Sequence, residues 1–391
     1  MPSTSHAQSS SAAPRGRLLI VAVVVFALVA IVGTAIYWWQ SGGVLGAPTG
    51  QGSQLAETSG AAPAVAAAPA GDHFLVAWPG EKGLVVQALG TSGPGRANTI
   101  REVRYVEALV PLADGALTAM VDQFVRVNLD GAPTTELVSL VNSPPGAYRA
   151  FVATGDTLAM AASMSHPEKG LVHFQSFRLD GNPAGSLATF EAGSTHPAEI
   201  GLARLGTGDY VMAWTRPTTV TAVLMVTVKA DGTVVTPPVE VYTGQAGSTI
   251  GGCRAAPTAD GNAVIVWEDS SPGAHEVFAV AVGAAGALGP ARQVSGTPGE
   301  DDVAPSVAFD GKRTRIAWLS GLQGPANQRK GTGSVMVLEY GGSAPAVKYG
   351  GSGSIESYAI AGQGDAWVLA TAMRTGDSKW GIYGKVLSAT P

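Results

Sequence analysis

An all-β chain, a single β-propeller of seven four-stranded blades behind one transmembrane helix and a flexible linker, is predicted by three observations. A unit of 41 to 53 residues recurs seven times between residues 63 and 391. Each unit breaks into short apolar runs separated by tight Gly turns. The chain also carries 52 Gly and 25 Pro in 391 residues, too many for a helical protein, and no amphipathic helix pattern follows residue 40.

The recurring mark is a run that ends in Trp: HFLVAW (73–78), DYVMAW (209–214), NAVIVW (262–267) and TRIAW (314–318). Copies without that Trp are ALTAMV (116–121), TLAMAA (157–162) and AWVLAT (366–371). A run of small apolar residues and a Gly turn precedes each copy, as in EALVPLADG, RAAPTADG and PSVAFDG. A third run follows, such as GLVVQAL or EVFAVAV, and several of these end in Asp-Gly: Asp130-Gly131, Asp180-Gly181 and Asp231-Gly232. Asp-Gly between alternating apolar runs signals a hairpin. Four short strands per 40 to 50 residues is the pattern of a propeller blade, and a closed ring leaves only short edges. The small first run suits inner strands crowded round an axis. The seventh unit stops at Pro391 without a fourth strand, and SQLAET (53–58) is expected to supply it and join the ends of the ring.

The unit P-x-V-A-x-D-G-x-x-x-V-x-W followed by D-G resembles the divergent propeller repeats of extracytoplasmic bacterial proteins. The resemblance covers nearly all of 63–391. It implies a fold and an export route and carries no shared activity. Gly-His…Trp-Asp, kelch and sialidase Asp-box signatures are absent.

Ahead of the propeller, residues 18–39 (LLIVAVVVFALVAIVGTAIYWW) hold no charge. As a helix they would be about 33 Å long, matching a hydrocarbon core of about 30 Å. Arg15 and Arg17 precede them, and no Lys or Arg follows until Lys82. The positive-inside rule then puts residues 1–17 in the cytoplasm and the propeller in the periplasm or outside the cell. Tyr37, Trp38 and Trp39 fit an interfacial aromatic belt. The run exceeds the 7 to 15 apolar residues of a cleaved signal, so an uncleaved anchor in a bacterial inner membrane is expected. Residues 40–62 are rich in Gly, Ser, Ala, Gln and Pro and read as a tether spanning roughly 25 Å, part of which can serve as the closing strand.

The net charge is −5 and no basic stripe occurs, which excludes nucleic acid as a partner. The one cysteine, Cys253, admits no internal disulfide and is expected to pack as a small apolar group. In propellers the loops entering the inner strands gather at one end of the channel. The residues at those entries are Pro63, Glu107, Arg149, Glu199, Arg254, Pro305 and Glu356. Glu107, Arg149, Glu199 and Arg254 alternate in sign, and with Glu356 they define a candidate ring at the channel mouth. That ring reads first as a belt of inter-blade ion pairs and second as a site for a polar ligand or partner. Paired-carboxylate catalysis is disfavoured, because the Arg neighbours are expected to keep the acids ionised.

Glu268 and Asp269 are expected in a loop after Trp267, and Glu300, Asp301 and Asp302 in an inter-blade loop. They are weighed as Ca²⁺ ligands but lack EF-hand spacing, so solvated loop acids are preferred. His166 and His173 sit seven apart across a predicted loop and make a poor metal pair. The Trp residues read as blade-packing anchors rather than sugar platforms. No Gly-x-Ser-x-Gly elbow, phosphate loop or dinucleotide fingerprint occurs, and no metal or cofactor is expected. The leading expectation is a scaffold or interaction module with a cell-envelope protein partner. An enzyme acting on glycans or peptides at the channel mouth, or a ligand sensor, stands as the alternative.

Overall fold

The computed structural model describes residues 52–388, apart from 167, 194, 196–198, 217, 271–273, 297–299, 323–332, 345 and 351–353. The 1–17 tail, the 18–39 helix and most of the 40–62 tether lie outside the described residues. Among the described residues no helix is long and apolar enough to cross a membrane.

Seven antiparallel sheets follow one another along the chain, each a blade of a seven-bladed propeller. We letter the strands of a blade A to D from the axis outward. The A strands are Ala66–Ala70, Ala108–Leu112, Tyr148–Thr154, Ile200–Arg204, Ile250–Pro257, Asp301–Phe309 and Ile355–Gln363, defining blades one to seven. Strand order is sequential in blades one to six, as hairpin connections demand, and blade seven alone takes a strand from elsewhere in the sequence. In blade five the D position is split between Gly286–Ala287 and Arg292–Gln293, both paired to the C strand Glu276–Gly283.

The core is divided. Seven buried apolar clusters occur among the described residues, each filled from two neighbouring blades. Strand alternation explains this, because successive side chains point to opposite faces of a sheet. In the B strand of blade four, Tyr210, Met212 and Trp214 enter the cluster shared with blade three. Val211 and Ala213, between them, enter the cluster shared with blade five. Trp214 and Trp267 are fully buried, and Trp78 and Trp318 are 2% exposed, so the repeated Trp is a packing anchor. Trp267 sits against Tyr242 and Phe278 at centroid distances of 4.9 and 6.1 Å.

Crowding at the axis is direct. A Cβ placed on Gly201 of blade four would lie 2.6 Å from the Arg254 carbonyl carbon of blade five. Only glycine lets these two A strands approach so closely.

The ring is closed by the start of the chain. Ser53–Ser59 pairs antiparallel with Lys379–Ser388, the C strand of blade seven, and becomes that blade's D strand. Trp380 Nε1 donates to the Gly60 carbonyl at 3.1 Å and fixes the end of the pairing. Leu55 and Ala56 add to the cluster between blades seven and one. Removal of residues 53–59 exposes that cluster and the edge of Lys379–Ser388. It is expected to lower the melting temperature by at least about 5 °C, since in a large domain each kcal/mol lost costs about 2 °C or more. An unchanged calorimetric melting curve would count against closure by this strand.

Candidate functional site

Every A strand starts at one end of the channel, where the connections from D strands and the B–C turns also gather. At that end the A strands of blades five, six and seven all depart from regular pairing. Register shifts fall between Gly251 and Arg254, between Asp301 and Ser306, and between Ile355 and Ser357. Such bulges bend a strand and re-aim its side chains.

Two of the bulges are wedged together. Gly252 has φ +66°, and a Cβ there would lie 2.6 Å from Pro305 Cδ. Ala304 holds φ 52°, a conformation that L side chains rarely adopt and that persists only when its surroundings enforce it. The Ala304 amide donates to Glu268 Oε2 at 2.7 Å. Tyr358 Oη lies 2.7 Å from the Ala304 carbonyl oxygen and 2.8 Å from that of Ala317. Burial pushes the Tyr358 phenol well above its ordinary range, so it stays a proton donor to these carbonyls.

The bulges frame a cavity of about 500 Å³ lined by Tyr148, Glu199, Arg254, Glu268, Glu356 and Tyr358 among others. Arg254 Nη1 lies 3.7 Å from Glu199 Oε2 and donates to the Cys253 carbonyl at 2.7 Å. Glu199 Oε1 and Glu268 Oε1 each lie 3.5 Å from the point where a Cβ on Gly251 would sit. Both carboxyls therefore look onto one small gap over bare backbone. His275 Nδ1 is 3.7 Å from the same Glu268 Oε1. Glu356 is exposed and forms no ion pair among the described residues.

Of the five ring residues, Glu199, Arg254 and Glu356 line this cavity, while Glu107 and Arg149 do not. Glu107 and Arg149 join blades two and three instead, with Arg149 Nη1 3.4 Å from Glu107 Oε1 and the Arg149 side chain only 4% exposed. Pro63 precedes the first A strand, and Pro305 packs on Gly252.

Several expectations need correction. The Arg neighbours do not bring the Glu107 and Glu199 carboxyls below their ordinary values. Burial raises the Glu199 carboxyl above its ordinary value, with Arg254 opposing and Glu268 reinforcing. Burial likewise raises Glu107 against the pull of Arg149. The acids at 268–269 and 301–302 are not solvated loop residues. Glu268 and Asp269 end the B strand Ala263–Asp269, and Asp301 and Asp302 open the A strand of blade six. Asp269 and Asp302 are fully buried, and Asp269 Oδ2 accepts from Tyr242 Oη at 2.7 Å. The A strands of blades five and six begin four residues before Arg254 and Pro305, because the bulges lengthen them toward the mouth. His173 lies in a strand, buried, with Nδ1 3.0 Å from Thr189 Oγ1. Cys253 is fully buried and its thiol is pushed up to about 12, which leaves it unreactive.

The residues that sequence reasoning did not join to the ring are Tyr148, Glu268 and Tyr358. Glu268 carried a signal. It follows the anchor Trp267 at the end of a B strand, and B strands run toward the same channel end from which A strands start.

No family model matches the sequence, and no curated protein matches it. Solved structures do resemble the fold. An ulvan lyase of a polysaccharide lyase family, bound to -[GlcA(1-4)Rha3S]-, has TM-score 0.54 at 12% identity over 86% of this chain and 95% of that one. A Penicillium chrysogenum α-L-arabinanase complexed with arabinobiose has TM-score 0.47 at 12% identity over 86% and 99%. A Mycobacterium tuberculosis puromycin-hydrolyzing peptidase has TM-score 0.49 at 15% identity over 88% of this chain. The present chain spans about half of that peptidase, 55% of its length. At such identities the likeness establishes the propeller fold and nothing of the chemistry.

Gly252→Ala places a methyl group against Pro305 at a left-handed φ. A loss of about 1–3 kcal/mol in denaturant unfolding is expected, the usual scale for local backbone strain. Stability equal to the wild type would show that the two bulges are not wedged.

Proposed function

We propose that this chain is a single-pass protein of a bacterial inner membrane whose propeller stands outside the cytoplasm as an interaction module. Its channel mouth takes a polar, positively charged group from a partner or ligand of the cell envelope. The anchor reading rests on the uncharged 18–39 run and the Arg15 and Arg17 that precede it. The binding reading rests on one observation: Glu199, Glu268 and Glu356 share a cavity with a single arginine, Arg254, itself directed at Glu199. A cation entering the gap above Gly251 gains two charge-assisted contacts and relieves the burial cost carried by Glu199.

A second reading, a glycan-active enzyme, is favoured by the asymmetry of the same two acids. Burial biases Glu199 toward its protonated form, while the Ala304 amide donates to Glu268. Glycoside cleavage by a carboxyl pair requires one carboxyl favoured as the acid, and the raised Glu199 fits that role. The ulvan lyase of similar fold acts on a polysaccharide, which fits this alternative.

Protease added to spheroplasts is expected to digest the propeller and leave a tag on the N-terminal tail intact; a protected propeller would refute the proposed orientation. Crosslinking in membranes of the native host, compared with the Glu199→Gln/Glu356→Gln protein, tests the mouth. Recovery of the captured partner is expected to fall about tenfold or more, the scale of one lost charge-assisted contact. Undiminished recovery would remove the mouth from the interface. Release of sugar fragments from a polysaccharide panel by the wild type, lost in Glu199→Gln, would select the enzymatic reading.

A further inference from the structure

Beside the mouth lies a carboxyl pair that the ligand reading does not use. Glu276 opens the C strand of blade five and is 7% exposed. Asp302, the second residue of the A strand of blade six, is fully buried. The two carboxyls are held by adjacent residues at the blade junction, Glu276 by Ser295 and Asp302 by Gly296, and the charge of Asp302 helps to raise Glu276. Two carboxyl groups held this close in a buried site favour sharing one proton, since a second negative charge there is strongly disfavoured.

The hydrogen bonds around the pair tie the two blades. Ser295 Oγ donates to Glu276 Oε2 at 2.6 Å and accepts from the Val277 amide at 2.7 Å. The Gly296 amide donates to Asp302 Oδ2 at 3.2 Å. The Asp302 amide donates to the His275 carbonyl at 2.8 Å, and the His275 amide donates to Asp301 Oδ1 at 3.0 Å. Other titratable groups nearby are acids apart from His275. Asp269 stands opposite Glu276 in the strand register with its carboxylate on Tyr242 Oη. Glu300 accepts from Ser320 Oγ, and Glu268 faces the His275 ring. Two residues past Asp302 is Ala304, whose left-handed backbone holds both Glu268 and Tyr358 in place at the mouth.

We propose that the Glu276–Asp302 carboxyl pair is a proton-dependent latch between blades five and six, and that its proton sets the order of the channel mouth. With the proton present, the pair is a hydrogen bond that draws Asp302 and the following bulge against blade five. Without it, two carboxylates repel inside the junction, and the contacts through Ser295, Gly296 and His275 loosen. Burial first, then Asp302, pushes the Glu276 carboxyl up to about 7 from an ordinary 4.5. A carboxyl raised on folding adds stability that is complete below its unfolded value and is lost as pH rises through its folded one. The latch therefore closes on the acid side of neutrality and opens above it.

The test uses the full chain without ligand, so its outcome is separate from that of the binding reading. Carbon-detected titration of the Glu276 carboxyl is expected to show a midpoint near 7, and a midpoint near the ordinary 4.5 would overturn the latch. Amide exchange protection at Val277, Gly296 and Asp302 is expected to fall about tenfold or more between pH 5.5 and pH 8, relative to Glu276→Gln at the same pH, as for one proton bound per folded molecule. Equal pH profiles in the two proteins would also overturn it. In Asp302→Asn the Glu276 midpoint is expected to move down by a unit or more, and an unmoved midpoint would show that the two carboxyls do not share a proton.

Discussion

Everything in this molecule follows from strands that are buried on both faces. A blade has no core of its own, because alternate residues of each strand belong to different neighbours. Leu75 and Ala77 pack toward blade two, while Phe74, Val76 and Trp78 pack toward blade seven. Each cluster is therefore half-built until the next blade arrives, and the last half is built only when the ring shuts. The composition reflects this arrangement: 46% of the residues are hydrophobic and only 14% charged, against roughly 25% charged in common soluble domains. Inner strands covered on both faces leave few positions where a charge is tolerated, and the exposed outer strands hold many of the rest.

Among those charges, two populations of carboxyls stand at opposite ends of the channel. Each A–B turn carries an aspartate: Asp72, Asp114, Asp156, Asp209, Asp260, Asp310 and Asp365. Several of these have local work in their own turn. Asp310 Oδ1 accepts from the amides of Lys312 and Arg313 at 2.7 and 2.6 Å, and Asp260 Oδ1 accepts from the Asn262 amide at 3.3 Å. Hydrogen bonds hold the Asp72, Asp114 and Asp260 carboxyls below their ordinary value. At the mouth, burial drives Glu107, Glu199 and Glu276 the other way. The first population stabilises turns. The second holds carboxyl groups in places that are costly to them, which is where function is most economically sought.

The blade count, the order of strands, the Trp anchors and the closing strand were readable because each rests on alternation and turn chemistry, which are local. The mouth was only half readable. Glu199, Arg254 and Glu356 emerged from aligning the units, since position within a repeat survives as position in the ring. Tyr358 follows one bulge and Glu268 meets another through the Ala304 amide, and a bulge stabilised by contacts between blades leaves no periodic trace; Tyr148 reaches the cavity from the regular A strand of blade three. The same bulges lengthened the A strands of blades five and six, which turned the apparent loop acids Asp301 and Asp302 into strand residues. The upward shift of Glu199 was hidden for a different reason. One arginine 3.7 Å away offsets only part of the desolvation that the surrounding blades impose.

The closing strand also orders events in time. Ser53–Ser59 is synthesised before any blade, yet its partner Lys379–Ser388 is synthesised after nearly all of them. The Val65 amide waits for Ser357 Oγ, 292 residues away, and the Gly60 carbonyl waits for the Trp380 indole, 320 residues away. Blades one to six can stack as they emerge, but the growing arc keeps two raw edges until the final hairpin is made. A chain cut short before Lys379–Ser388 by ribosome stalling or proteolysis would be left as an open arc, with unpaired strands that invite pairing with another copy. Closure is thereby proofread by the fold itself, because only a molecule that carries both Ser53–Ser59 and Lys379–Ser388 hides both edges.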